Sequence, residues 1–341
     1  MRLIRATLAL AGLAVLTGCD VPTEAPILDQ RWILPVDNST ISVTELLPSG
    51  VTVSGNNFAV SVGAFNTNKS LGDLCTTCAA LHGLTAPVPS FTGNLTLSQT
   101  LPANVQQATV VSGSALIAIQ NGFSFDPLAG GGSLTVTVYD GQGGKQVGQT
   151  VFSAPLAAGS TVTRTLTLAS GAIGATLYVD AALSSPGGQT SVINTAQRLT
   201  ITATPSPILV SSARVNVASR TVTVAPVDLD VSDIDSAITD RIQNGGIILE
   251  ITNPFGVGVT AQLDITYPGG KITKTLNVAS GATSTNTLAY TGDELRAFLG
   301  KSGVRMTGSG SVSSSAGYIN VTPGQQVLIK AKIDLTLRIG D

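Results

Sequence analysis

At 341 residues, 43% of them hydrophobic, the chain is long enough to build two or three cores. A formal net charge of −2 with no basic block excludes nucleic acid as a partner, and a single histidine, His82, excludes sites that need several imidazoles from one chain. Charged residues are only 11% while Gly, Ser, Thr and Val abound, a strand-and-turn composition. Aromatics at 4% argue against the stacking platforms of sugar-binding faces.

Arg2 and Arg5 precede an apolar stretch, Leu8 to Leu16, which runs into Thr17-Gly18-Cys19. A charged start, an apolar run too short to span a bilayer and a small-residue cleavage site make an export signal. The Leu16-Thr17-Gly18-Cys19 ending resembles the lipobox of bacterial lipoproteins. That resemblance implies that Cys19 is thioether-linked to diacylglycerol and becomes the mature N-terminus; an ordinary secretory signal with a chance cysteine is the plainer alternative. Several acyl chains anchor stably where one is marginal, so the implied partner is a membrane, held through the N-terminal lipid. Asp20 resembles the inner-membrane retention signal of enteric bacteria, a rule that does not extend to all bacteria. The expected location is the bacterial cell envelope, the outer membrane before the inner, facing the periplasm or the surface.

Val21 to Asp29, with Pro22 and Pro26, reads as a short, stiff tether. A strand through Trp32 follows, with Trp32 as a core or interface anchor. A brief helix over Glu45, Leu46 and Leu47 is expected, Ser42 and Glu45 having capping-box spacing. Asn66 to Pro89 is irregular and carries Cys75 and Cys78. With Cys19 lipidated these two remain as a pair, and in an oxidising envelope a disulfide between them is the default. A redox pair would want a thioredoxin-like βαβ setting, which is missing. A metal site of Cys75, Cys78 and His82, with Asp73 nearby, lacks an evident fourth ligand.

The remainder reads as a duplicated β unit. Ser114 to Phe123 (SALIAIQNGF) and Gly246 to Phe255 (GIILEITNPF) are apolar strands running into Asn-x-Phe. Ala115, Ile117 and Ile119 share one strand face, as do Ile247, Leu249 and Ile251. Asn121 and Asn253 end the strands where an Asx turn can redirect the backbone, and Phe123 and Phe255 offer core plugs. Leu134, Val136 and Val138 match Leu263, Ile265 and Tyr267, with Gly130-Gly131-Gly132 as an insertion in the first copy. The turn at Ala157 to Ser160 matches Ala279 to Ala282. Thr161 to Leu168 then matches Thr283 to Tyr290, and each copy closes on a long alternating strand, from Gln197 and from Gln326.

The copies differ in helix. Ser232 is expected to cap a helix with Ile234, Ile238 and Ile242 on one stripe, stopped at Asn244-Gly245, with Val105 to Val110 as its remnant in the first copy. Thr291 to Gly300 shows a capping box, Thr291 with Glu294, whereas the matching Ser170 to Gly174 is too short and glycine-rich for a helix. Val215, Val217, Val222 and Val224 suggest a hairpin at the boundary. The expected class is mainly β: tandem duplicated β-sandwich-like domains with a few short covering helices. Residues 1–19 are the lipoprotein signal with Cys19, 20–92 an N-terminal tether and β segment with the disulfide loop, 93–215 the first repeat and 216–341 the second.

The order Gly-x-apolar-x-apolar-x-Asn-Pro-Phe over Ile247 to Phe255, then a strand and a β-meander, resembles the late embryogenesis abundant type-2 domain. The likeness covers the second copy; the first has Asn121-Gly122-Phe123, without the proline. It implies a β-sandwich, with contact to lipids or membranes proposed for some members, and no catalytic residue to carry over.

Asp228, Asp230, Asp233 and Asp235 form the sharpest acidic cluster and a calcium candidate, although the EF-hand spacing is absent. The bland alternative is a strand edge and a helix whose first turn welcomes acids. Gly308-Ser309-Gly310-Ser311 lacks the second glycine of a hydrolase elbow, and the few acids argue against glycosidase pairs. No enzyme and no cofactor is expected. A transmembrane barrel is disfavoured because aromatic girdles are missing. The leading reading is a membrane-anchored envelope lipoprotein, a non-catalytic structural or binding module with a protein or lipid ligand unspecified. The alternative is a lipid-handling protein with an apolar cavity between its sheets; a continuous dry pocket or a filled core separates the two.

Overall fold

The computed structural model describes residues 27–36, 38–313 and 316–340. Residues 1–26, and with them the lipobox, Cys19 and most of the tether, lie outside the described residues. Alternation at period two dominates the strands. Gln326–Ile339 buries Val327, Ile329, Ala331, Ile333, Leu335 and Leu337 on one face and turns Lys330 and Lys332 outward. A sheet with one apolar face must cover it, and this chain does so by forming two β-sandwiches.

The first sandwich has one sheet ordered Thr161–Thr167, Ser114–Asn121, Arg198–Pro205, Phe65–Ser70. It lies over a second ordered Gln146–Phe152, Ser133–Asp140, Thr176–Ser185, Phe91–Thr100. In the second sandwich, Ala282–Thr291, Ile242–Asn253, Gln326–Ile339 and Leu28–Pro35 lie over Gly270–Val278, Val259–Tyr267, Arg305–Val312 and Thr221–Asp228. The two orders correspond strand for strand. Register corresponds too: Ile119 faces Ile201 and Ile117 faces Ala203, as Ile251 faces Ile329 and Leu249 faces Ala331. The mainly β, duplicated sandwich architecture expected from the sequence is the one the chain adopts.

One strand of the second sandwich comes from the other end of the chain. Leu28–Pro35 pairs antiparallel with Gln326–Ile339, Leu28 facing Ile339 and Trp32 facing Leu335. Trp32 and Leu34 are half-buried against the core, and Arg31 forks onto Asp334 at 2.7 Å. The first sandwich is therefore inserted between the first strand of the second sandwich and the rest of it. Segment 20–92 is divided accordingly: its Leu28–Pro35 edges the C-terminal body, its Phe65–Ser70 edges the first sandwich.

A third sheet joins the two bodies, ordered Gly171–Gly174, Val105–Ser112, Ile208–Asn216, Asn57–Val60, Val51–Ser54. Tyr318–Val321 of the second unit adds to Ile208–Asn216, Val215 facing Ile319. This sheet meets the first sandwich at the Ser114 and Pro205 end and the second at the Asn253 end. The Asn121 end of the first sandwich and the Leu28 end of the second lie away from it.

Two helical expectations give way to strand, a third to a 3-10 turn, and the hairpin expected at the boundary does not pair. Instead of a helix from Ser232, a single turn Ser236–Thr239 forms under an Asp235 cap, and Ile242–Asn253 is a strand. Ile242 is fully buried in the ladder beside Leu337, and Gly245 lets the backbone come so close to Asp334 that a Cβ would stand 2.3 Å from its carbonyl oxygen. Val105–Ser112 is likewise a strand of the joining sheet. The Val217 to Arg220 turn forms, with Ser219 at φ 58°, but its flanking strands enter different sheets and make no hairpin ladder. At Ser42 a 3-10 turn, Val43–Leu46, replaces the capping-box helix, because Glu45 accepts from the Thr223 hydroxyl at 2.9 Å instead. Helix Gly292–Phe298 does form, with both halves of its Thr291–Glu294 capping box, and the first copy has the strand Gly171–Gly174 there.

Candidate functional site

The two Asn-x-Phe corners are the most elaborate polar arrangements that both repeats share. Asn121 is fully buried. Its Oδ1 accepts from the Phe123 N–H at 2.9 Å, and its Nδ2 donates to the carbonyls of Phe125 and Leu156 at 2.8 Å and of Ala157 at 3.2 Å. Asn253 repeats the pattern: Oδ1 accepts from the Phe255 N–H at 3.0 Å, Nδ2 donates to Val257 at 2.8 Å and to Ala279 at 3.0 Å. Each amide closes its own Asx turn and ties it to the turn across the sheet. Phe123 and Phe255 are buried behind them, Phe123 stacked on Phe125 with centroids 5.4 Å apart. An amide that spends both its donor and acceptor on backbone has nothing left for a ligand.

Position 122 explains why one corner has glycine and the other proline. The Gly122 N–H donates to the Arg198 carbonyl at 2.9 Å, carrying the ladder one residue further, and a Cβ there would stand 2.4 Å from that oxygen. In the second copy that ladder's last pair is Thr252 with Leu328, so Pro254, which has no N–H, fits.

Cys75 and Cys78 form a disulfide, both sulfur-bearing residues buried. It lies in a helical cap, Leu71–Leu74 followed by Thr76–Leu81, that covers the Asn121 end of the first sandwich. The sequence reading missed the capping box of this helix, Ser70 with Asp73, although the Ser-x-x-Asp spacing was there to be seen. His82 turns from the sulfurs to Thr195, whose hydroxyl lies 2.8 Å from Nδ1. Asp126 and Gln189 also escaped that reading: Asp126 accepts from Leu128 and Leu156 N–H groups and Gln189 bonds the Asp126 backbone, locking the glycine insertion of the first copy.

The four aspartates do not converge, and the calcium candidate is corrected. Asp228 takes a bidentate Arg305, at 2.7 and 3.3 Å, whose hydrogen bonds hold its carboxyl below the usual carboxylate range. Asp235 caps Ser236–Thr239 through the Ala237 N–H at 2.7 Å, and Asp233 accepts from Ser232. Asp230 stays solvent-exposed. Asp228 ends the Thr221–Asp228 strand while Asp235 caps the single turn Ser236–Thr239, so the four carboxylates are held apart by their own local partners. Among the described residues no group of three or more His, Cys, Asp or Glu side chains comes together as a metal site.

Each sandwich interior holds one apolar cavity of about 40 Å³, beside Phe255, Val224 and Leu276 in the second and beside Ile117, Leu166 and Val179 in the first. That is room for a few water-sized groups, against roughly 300 Å³ or more for a ligand pocket. Neither of these two cavities has room for an acyl chain. Among the described residues no helix is long and apolar enough to cross a membrane.

No family model matches the chain, and no curated protein matches it. Among solved structures, a Parabacteroides distasonis protein proposed to be secreted is 8% identical, over 90% of this chain and 99% of that one, with a TM-score of 0.35. Infectious bursal disease virus VP2 is 10% identical over 92% of this chain and 72% of that one, at 0.21. Saccharomyces cerevisiae allantoicase is 11% identical over 87% and 99%, at 0.18. Likenesses this distant carry no argument about fold or function.

Proposed function

We propose that this chain is a lipid-anchored lipoprotein of the bacterial cell envelope and acts there as a non-catalytic structural or binding module. The observation that supports the reading best is where the shared polar residues go. Asn121 and Asn253, the landmarks of both repeats, are spent on backbone carbonyls and amides inside the core. Cys75 and Cys78 are spent on a buried staple. A chain that invests its distinctive residues in rigidity offers its outer faces, not an interior pocket, to whatever it meets.

The anchor rests on the Leu16-Thr17-Gly18-Cys19 ending. The test is native mass spectrometry of the protein lacking residues 1–19, followed by organic extraction. A bare protein is expected. Phospholipid or fatty acid bound at a fixed ratio would replace this reading with lipid handling, since cavities of about 40 Å³ cannot house an acyl chain without opening the sandwich.

A further inference from the structure

We infer that the C-terminal sandwich is the membrane-proximal body, that its Leu28 end faces the lipid headgroups, and that the first sandwich projects away with its disulfide cap outermost. The inference rests on the lipid anchor proposed above. Chain order alone suggests the opposite, because residues 65–205 of the first sandwich come sooner after Cys19 than residues 221–339 of the second do. The fold overrides chain order. The described chain enters at Ile27 and goes directly into Leu28–Pro35, the edge strand of the second sandwich.

Leu28 faces Ile339, so the entry point is beside the last residues of the Gln326–Ile339 strand, at the end remote from the joining sheet. The same end carries the Asp235 turn, helix Gly292–Phe298 and the Gly300 turn, held by Gly300 N–H to the Val231 carbonyl at 2.8 Å and Arg338 N–H to the Arg241 carbonyl at 2.9 Å. The eight residues 20–27 between Cys19 and the strand reach at most about 29 Å when fully extended. The fourteen-residue strand Gln326–Ile339 alone spans roughly 45 Å. A lipid at Cys19 therefore cannot double back along the second sandwich to the joining sheet, still less to the first sandwich.

The surface at the entry point fits a headgroup layer. Among the described residues, Ile27 and Leu28 are the most exposed of the large apolar side chains, at 61% and 59%. The same end of the sandwich carries ion pairs, Arg338 with Asp29, Arg305 with Asp228 and Arg296 with Asp293, that suit polar headgroups and would resist entry into hydrocarbon. At the opposite extreme, beyond the first sandwich, Leu84 and Val192 lie exposed on the small sheet Thr85–Pro87 with Thr190–Val192, next to the Cys75–Cys78 cap.

The test uses the full lipidated chain in phosphatidylethanolamine–phosphatidylglycerol vesicles that carry a headgroup-bound quencher. A fluorophore is attached in separate preparations at Lys301→Cys, on the anchor end, and at Leu84→Cys, on the far end. Flotation with the vesicles, lost in Cys19→Ser, reads the anchor; quenching reads the orientation. The expected result is flotation with quenching at position 301 at least fivefold above that at 84. Flotation with equal quenching, a molecule lying on its side, or with stronger quenching at 84 overturns the orientation while leaving the anchor standing. A wild-type chain that stays with the solution, or a Cys19→Ser variant that floats equally well, overturns the anchor and the orientation with it.

Discussion

The two sandwiches share a skeleton and differ in what covers their ends. In the first, the Asn121 corner faces outward and is closed by a helical cap with a disulfide. In the second, the equivalent Asn253 corner abuts the joining sheet and needs no such cap, while the far end is closed by helix Gly292–Phe298. Strand order, register and the Asn corner are what a sandwich of this kind requires; caps are local solutions to whichever end is left open. The comparison also separates the bodies by origin. The first sandwich is built from one continuous stretch, and the second depends on a strand from the N-terminus.

That dependence gives the largest expected effect. Deleting residues 20–35 removes Trp32, Leu34 and the Arg31–Asp334 fork from the edge of the second sheet. The loss exceeds about 5 kcal/mol, on the scale of a whole domain's margin, so calorimetry should show the first sandwich unfolding cooperatively and the second no longer doing so. An unchanged second transition would mean that the strand is dispensable. Next come the corners. Asn121→Ala leaves three carbonyls and one N–H without their partner and should cost about 3–4 kcal/mol; Asn253→Ala, with one bond fewer, somewhat less, both read by urea unfolding. A smaller effect for Asn121 than for Asn253 would break the equivalence.

Replacing both Cys75 and Cys78 by alanine frees a very short loop, for which the chain-entropy model gives about 2 kcal/mol. The loss should appear only in the first transition. Tyr290 works in the other direction. Its buried hydroxyl has no hydrogen-bond partner among the described residues, and burial pushes its ionisation well above the ordinary phenol range. The matching place in the first copy is the apolar Leu168. Tyr290→Phe should therefore stabilise the second sandwich by about 1 kcal/mol; a loss would reveal a partner for that hydroxyl.

Acid gives the smallest effect. Lys274 at 2.8 Å, then the Thr291 N–H, hold the Glu294 carboxyl below its ordinary range. A depressed folded value contributes stability above the unfolded pKa of about 4.3 that is lost as pH falls through the folded one. Melting of the second sandwich should thus weaken below about pH 4, and Glu294→Gln should flatten that slope. A steep slope surviving in the variant would point to the other paired acids, Asp264 and Asp334.

Much of this was legible in the residues. Period-two alternation located the strands, and the repeated Asn-x-Phe marked the corners because an Asx turn is a local device with a local signature. The Thr291–Glu294 box and the Cys75–Cys78 pair were legible for the same reason. What failed was non-local. Ile234, Ile238 and Ile242 look like a helical stripe until Leu337 claims Ile242 for a ladder. Nothing near Leu28 announces Ile339, since pairing across nearly the whole chain leaves no trace in either neighbourhood. The calcium candidate failed because Asp228 and Asp235 each find a partner, the Arg305 guanidinium and the Ala237 N–H, that their spacing in the sequence does not announce. The outer faces, where a partner would bind, are mixed Thr, Asn and Lys surfaces whose sequence alternation says only that they face solvent.

The pairing of the first described strand with the last also sets a timetable. A chain delivered from its N-terminus can close the first sandwich once Pro205 has emerged, while Leu28–Pro35 must wait for Gln326–Ile339. At synthesis rates of about 5–20 residues per second, the roughly 300 residues between them take about 15–60 s. Throughout that wait the strand keeps an open hydrogen-bonding edge beside Trp32 and Leu34, a template for wrong partners. The insertion of one sandwich inside the other is thus also a kinetic hazard, and a holding factor would serve this protein most in the interval between its first strand and its last.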